Sequence, residues 1–128
     1  MPELDWVNAR LKCSVFEVFS QLRSGVQDDI DKRNHSLTPD ARMNFKMRDE
    51  SAPSPDRFAV VRLAERASDA LEFTCTDNSI YVKTQDGKTI LCATPTLNES
   101  GECRLKTGEE ELELWQFRLR ALEDLFRF

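Results

Sequence analysis

The fold is decided by residues 71–93, which read LEFTCTDNSIYVKTQDGKTILCA. Asp77-Asn78 and Asp86-Gly87 are typical of two-residue hairpin turns, and β-branched and aromatic residues flank both. Two such turns in succession predict three antiparallel strands. The predicted pairs are Glu72 with Lys83, Phe73 with Val82, Cys75 with Ile80, Val82 with Leu91 and Ile80 with Ala93.

These pairings sort the side chains onto two faces, because successive residues of a strand point to opposite sides of the sheet. One face carries only apolar side chains, namely Leu71, Phe73, Cys75, Ile80, Val82, Leu91 and Ala93. The other face is mixed and carries Glu72, Thr74, Tyr81, Lys83, Ile90 and Cys92. A slip of one residue in either hairpin would mix the two sets, so each turn supports the other.

A third hairpin is expected at residues 98–101, which would bring back Cys103 and Leu105 beside the preceding strand. Pro95 in that strand indicates an edge position or a bulge, because proline has no backbone N–H to donate.

Residues 34–57 form a polar region that contains Pro and Ser, and the secondary structure of residues 38–70 stays open between two alternatives. A loose hairpin of residues 43–50 with 57–65 is slightly favoured. The alternative is two short helices, with starts at Thr38-Pro39 and Ser54-Pro55.

The N-terminal segment from Leu4 to about Arg33 is predicted to be one long amphipathic helix. Gly25 is a mild helix penalty, so the helix is expected to fray or bend there. Asp28-Asp29-Asp31 lacks the ligand pattern of a calcium loop and is interpreted as a solvated helix end. The apolar residues at helical spacing are Leu4, Val7, Leu11, Val15, Val18, Phe19, Leu22, Val26 and Ile30.

The C-terminal segment predicts a helix that begins with a capping box, Thr107-Gly108-Glu109-Glu110. It carries two apolar stripes, although a helix that rests on one sheet face needs only one. The first stripe consists of Leu112, Trp115, Leu119, Leu122 and Phe126. The second stripe consists of Leu114, Phe117, Ala121, Leu125 and Phe128, and Arg118 lies between the two. The sheet covers one stripe, and either the N-terminal helix or a partner covers the other. The residues predicted to bind a partner are Leu114, Phe117, Arg118, Ala121, Leu125 and Phe128.

Composition limits the classes of protein that the chain can represent. The 128 residues carry a formal net charge of −5, one His and four Cys, which fits one α+β domain spanning residues 1–128. The acidic balance disfavours nucleic acid and anionic membranes as partners, although residues 42–66 are locally basic. Without a basic and apolar leader or a long apolar run, we expect a cytoplasmic protein with reduced thiols and no membrane span.

No catalytic constellation is visible in the sequence. His35 has no catalytic partner near it in the sequence, and no nucleophile signature surrounds any of the four Cys. Cys92 is the best placed of the four thiols, because it is predicted to lie on the mixed face of the sheet and not in the core. One His excludes multi-His metal sites, and no glycine-rich phosphate loop is present, so we expect no metal and no cofactor.

The sequence therefore predicts a long N-terminal helix, an antiparallel meander of four to six strands, and a C-terminal helix packed on the sheet. The expected function is a non-enzymatic protein-interaction domain of adaptor or chaperone type, with a protein partner or a homodimer. In outline it is similar to secretion-chaperone and adaptor domains, by shape and charge only. The alternative is a small-molecule binder or enzyme with a pocket lined by Phe73, Val82 and Trp115.

Overall fold

The structure, a computed structural model, describes residues 3–36, 44–48, 56–62 and 70–126. Its helices are α1 (Trp6–Lys12), α2 (Val15–Ser36) and α3 (Leu114–Phe126). Its strands are β1 (Phe45–Arg48), β2 (Arg57–Arg62), β3 (Ala70–Cys75), β4 (Ile80–Thr84), β5 (Thr89–Leu97), β6 (Cys103–Thr107) and β7 (Glu110–Leu112).

Within the described residues, seven strands form one antiparallel meander in chain order from β1 to β7. The predicted α+β class is confirmed, with one strand more than the upper expectation. All five pairs predicted for residues 72–93 are present. The second turn is longer than predicted: the backbone N–H of Thr84 donates to the carbonyl of Lys88 at 2.8 Å, which leaves three residues in the loop. Gly87 takes a φ of +89° there, a conformation that favours glycine.

The third hairpin is confirmed as well, because Leu97 pairs with Cys103 and Pro95 with Leu105. In the uncertain region, β1 and β2 pair antiparallel, so the favoured hairpin is confirmed for residues 45–48 and 57–62. The helix starts proposed at 38–39 and 54–55 lie outside the described residues.

The core lies between the apolar face of the sheet and the two longer helices, with α2 over the first strands and α3 over the last. Three phenylalanine rings fill the space beneath α2. The ring of Phe19 lies 5.2 Å from that of Phe58, which stacks on Phe73 at 4.7 Å. All three rings are buried, so α2 is fixed to the sheet by a continuous aromatic contact.

The prediction of one continuous N-terminal helix is wrong, because the helix is interrupted between Lys12 and Val15. Asp5 Oδ1 accepts from the Asn8 backbone N–H at 3.2 Å and caps α1, and Ser14 Oγ accepts from the Glu17 backbone N–H at 3.3 Å at the start of α2. Ser14 therefore supplies a second helix start that the apolar spacing hid. Helix α2 continues through Gly25, so the fraying expected there is absent.

The expectation of four reduced thiols is also wrong, because Cys13 and Cys103 form a disulfide across 90 residues. Their Cα atoms are 5.5 Å apart, and the bond joins the end of α1 to β6. Cys75 and Cys92 are free. The sequence contains no CxxC motif that would indicate this pair, and the two cysteines become neighbours only in the folded chain.

The predicted capping box is wrong as well. Thr107 pairs with Glu110 in the β6–β7 hairpin, where Gly108 takes a φ of +61°. Pairing of β7 with β6 buries Leu112, which outweighs the local helix signal of the glutamates. Helix α3 starts later, where Gln116 Oε1 accepts from the Glu113 backbone N–H at 2.8 Å.

Candidate functional site

Of the six residues predicted to bind a partner, the structure describes five, and these lie in three environments. Phe117 and Ala121 are buried in the core of the chain itself, and Leu114 and Leu125 are partly buried against that core. Phe128 lies outside the described residues. The core of the chain itself therefore covers most of this second stripe. The role of the stripe in partner binding stays a prediction.

Arg118, the remaining member, reaches across to α2. Its Nε donates to Asp29 Oδ2 at 2.7 Å, with both side chains about a quarter exposed. The guanidinium passes over Gly25, where a Cβ would lie 2.5 Å from Arg118 Nη1. Gly25 therefore admits the ion pair, and Asp29 belongs to a helix–helix contact and is not a solvated helix end as predicted.

The exposed apolar surface of α3 lies instead on its first stripe. Trp115 is 52% exposed and Leu119 is 50% exposed, one helical turn apart, while Leu122 and Phe126 further along are buried. Together with α2 these residues line an open groove of about 340 Å³, which we call the α2–α3 groove. Its lining residues are Asp29, Lys32, Arg33, Trp115, Arg118, Leu119, Leu122, Glu123 and Phe126.

Buried Arg33 closes one end of the α2–α3 groove. Its Nε donates to the Phe126 carbonyl at 3.0 Å, so it satisfies a carbonyl at the C-terminal end of α3. Its guanidinium also lies 5.6 Å from the centre of the Phe45 ring, and that ring contacts Phe126 at 5.0 Å. The neighbouring Asn34 holds the edge strand β1, since its amide bonds both the N–H and the carbonyl of Phe45 at 2.9 Å. This end of the groove is accordingly rigid.

Trp115 is held at the other end of the groove. Its Nε1–H donates to Glu113 Oε2 at 2.8 Å, and Glu113 is the capping residue directly before α3. The indole ring is thus oriented while half of its surface faces solvent. A fixed, half-exposed aromatic side chain loses little conformational entropy on binding, which favours its use as an anchor.

A second apolar surface lies on α1 and on residues that flank it, and α1 itself has no buried residue. We call it the α1 patch; it consists of Leu4, Trp6, Val7, Leu11 and Phe16, all between 47% and 67% exposed. The sequence predicted one amphipathic helix across this segment, and the missed signal was Ser14, whose helix start separates α1 from α2.

The groups considered for catalysis are not brought together. His35 is exposed in the last turn of α2, on the covered face of the sheet, whereas Cys92 pairs with Tyr81 on the opposite face. Burial and the nearby Asp56 raise the pKa of the Cys75 thiol, which makes it a poorer nucleophile. Among the described residues, no three His, Cys, Asp or Glu side chains cluster as metal ligands would.

The alternative pocket between helices and sheet does not have its proposed lining. Phe73 and Val82 are fully buried, and Phe73 is stacked on Phe58, whereas Trp115 faces solvent in the α2–α3 groove. Among the described parts of the chain, no helix is both long and apolar enough to cross a membrane.

Comparison of the chain with protein-family models, with curated proteins and with solved structures found no match.

Proposed function

We propose that this chain is a non-enzymatic protein-interaction domain that binds an amphipathic helix of a partner protein in the α2–α3 groove. The observation that carries the proposal is the exposed pair Trp115 and Leu119, set one turn apart above buried Leu122 and Phe126. A row of apolar positions at helical spacing, bounded by a second helix, has the form of a groove that accepts a helix.

The charges around the groove suit such a ligand. Lys32 and Arg118 lie beside Asp29 and Glu123, so both signs are present along the groove. A partner helix would present apolar residues to Trp115 and polar residues of either sign to this rim. Burial of the exposed half of Leu119 alone contributes about 1 kcal/mol.

A small apolar ligand is the second candidate, because a volume of about 340 Å³ lies at the lower end of the range for ligand pockets. The open shape and the half-exposed Trp115 favour the helix. A ligand of drug size would leave much of its own surface in water here.

The Cys13–Cys103 disulfide supports residence in an oxidising compartment and weighs against the cytoplasmic location expected from the sequence. The proposal for the groove holds in either compartment, since neither Cys13 nor Cys103 lines the groove.

The proposal is tested by selecting helical peptides from a displayed library on the wild-type chain and measuring their affinities for variants. Leu119→Glu places a charge in the apolar row and is expected to weaken binding by about 30-fold or more. Ile90→Glu is the matched control, because Ile90 is 43% exposed on β5 and lies outside the groove. Selected peptides that bind wild type and Leu119→Glu equally would contradict the proposal.

A further inference from the structure

We propose that two copies of this chain associate through their α1 patches, as a symmetric homodimer. This inference is independent of the α2–α3 groove, since the two surfaces share no residue.

The α1 patch is centred on helix α1, which has no buried residue but is attached to the sheet side of the fold near both of its ends. The Cys13–Cys103 disulfide attaches the end of α1 to β6. At its start, Leu4 packs on Gly101 so closely that a Cβ there would lie 2.8 Å from both Leu4 methyl carbons. Gly101 also has a φ of +79°, which favours glycine. A residue with a side chain at this position would occupy the space that Leu4 takes. Helix α1 is therefore anchored at both ends with its apolar residues outward.

Four of the five residues of the patch share one continuous surface. Trp6, Val7, Leu11 and Phe16 all line one open groove of about 520 Å³, which continues to Pro95 on β5. From their exposed fractions, the apolar area of the patch is on the order of 600 Å², the upper end for the largest patch on a monomer. A stable interface buries about 800 Å² on each partner. The patch alone supplies most of that area.

The charges on the rim point to a second copy as the occupant. Arg10 and Asp77 both line the groove and both are exposed, so one patch carries a positive and a negative group. In a symmetric dimer the same surface faces itself, and opposite charges on one patch can then pair across the twofold axis. An anionic membrane fits less well, since the basic residues Arg10 and Lys12 are offset by Glu3, Asp5 and Asp77.

The test is sedimentation velocity of the oxidised chain between about 1 and 100 µM, a range that brackets a micromolar Kd. Wild type is expected to shift from 14.8 kDa to twice that mass as concentration rises. Leu11→Glu is expected to raise the dimer Kd by about 100-fold, without loss of folding because Leu11 is 67% exposed. Leu119→Glu and Ile90→Glu are controls that should dimerise as wild type does.

Charge exchange adds a readout of the symmetry. Arg10→Asp is expected to weaken the dimer about 10-fold, and addition of Asp77→Arg is expected to restore it, because the pair is re-formed with reversed signs. A wild-type chain that stays monomeric throughout, or a dimer indifferent to Leu11→Glu, would overturn the proposal. So would a monomer whose patch binds anionic phosphatidylserine vesicles and loses that binding with Leu11→Glu, since the patch would then serve a lipid surface.

Discussion

Arg118 Nε donates to Asp29 Oδ2 at 2.7 Å, and the arginine reaches that carboxylate by crossing α2 at Gly25. Gly25 and Asp29 are one helical turn apart, so the glycine opens the path directly beside the acceptor. The ion pair fixes α3 against α2 and thereby fixes the width of the α2–α3 groove, which both residues of the pair line.

Replacement of Gly25 tests this relationship. Gly25→Ala should gain about 1 kcal/mol of helix propensity, but its Cβ would displace Arg118 and cost the ion pair a similar amount. In wild type the two effects nearly cancel. In an Arg118→Ala background Gly25→Ala should stabilise the fold by about 1 kcal/mol, because no side chain is left to displace.

Urea unfolding of the four chains in this double-mutant cycle provides the measurement. An equal gain from Gly25→Ala in both backgrounds would show that Arg118 does not occupy the space over Gly25.

The disulfide gives a second prediction. Cys13→Ser with Cys103→Ser should lower the free energy of unfolding by about 2–4 kcal/mol, because the bond closes a loop of 90 residues in the unfolded chain. Cys92→Ser is the control and should have little effect, since Cys92 is a free, half-buried residue of β5.

Thiol counting checks the pairing directly. The unreduced chain in denaturant should contain two reactive thiols, Cys75 and Cys92, and the reduced chain four. In the native state Cys92 should react first, because burial raises the pKa of Cys75 and shields it. Four reactive thiols before reduction would contradict the assignment.

The carboxylate of Glu110 gives a prediction about pH. The hydrogen bond and charge of Arg120 lower its pKa below the ordinary value of 4.5. Because the folded pKa lies below the unfolded one, the pair stabilises the fold above pH 4.5, and this stabilisation is lost as pH falls through the folded pKa.

Arg120→Ala should therefore return the pKa of Glu110 toward 4.5, as measured by NMR titration of its side-chain carboxyl. Asp86 is an internal control, since its lowered pKa is due first to a hydrogen bond from Thr84 and should stay unchanged. A Glu110 titration that does not move in the variant would show that the ion pair is absent in solution.

The sheet was predictable because turn chemistry and alternation agree. Asp77-Asn78 sets the β3–β4 register, which the apolar pattern checks independently. The β4–β5 pairs of the apolar face also form as predicted, because a register shift between Val82 and Lys83 compensates for the longer second turn. The helix boundaries were not predictable in the same way. Glu110 suits a helix start and an edge strand equally, and only the pairing of Leu112 with Leu105 decides between them.

The candidate sites required the tertiary structure. Both apolar stripes of α3 are visible in the sequence, but which stripe is enclosed depends on where the sheet and α2 lie. The sequence favoured the stripe that contains Phe117 for partner binding, whereas Trp115 and Leu119 are the residues left half exposed. Gly25 resembles a helix defect until Arg118 is seen beside it.

The chain contains two tryptophans, Trp6 in the α1 patch and Trp115 in the α2–α3 groove, so each proposed surface carries its own indole reporter. The most direct measurement follows the two indole N–H resonances of the ¹⁵N-labelled chain while a selected helical peptide is added. If the peptide binds in the α2–α3 groove, the Trp115 resonance shifts in proportion to binding and the Trp6 resonance stays in place. A shift of Trp6 with Trp115 unmoved would show that the α2–α3 groove is not the binding site.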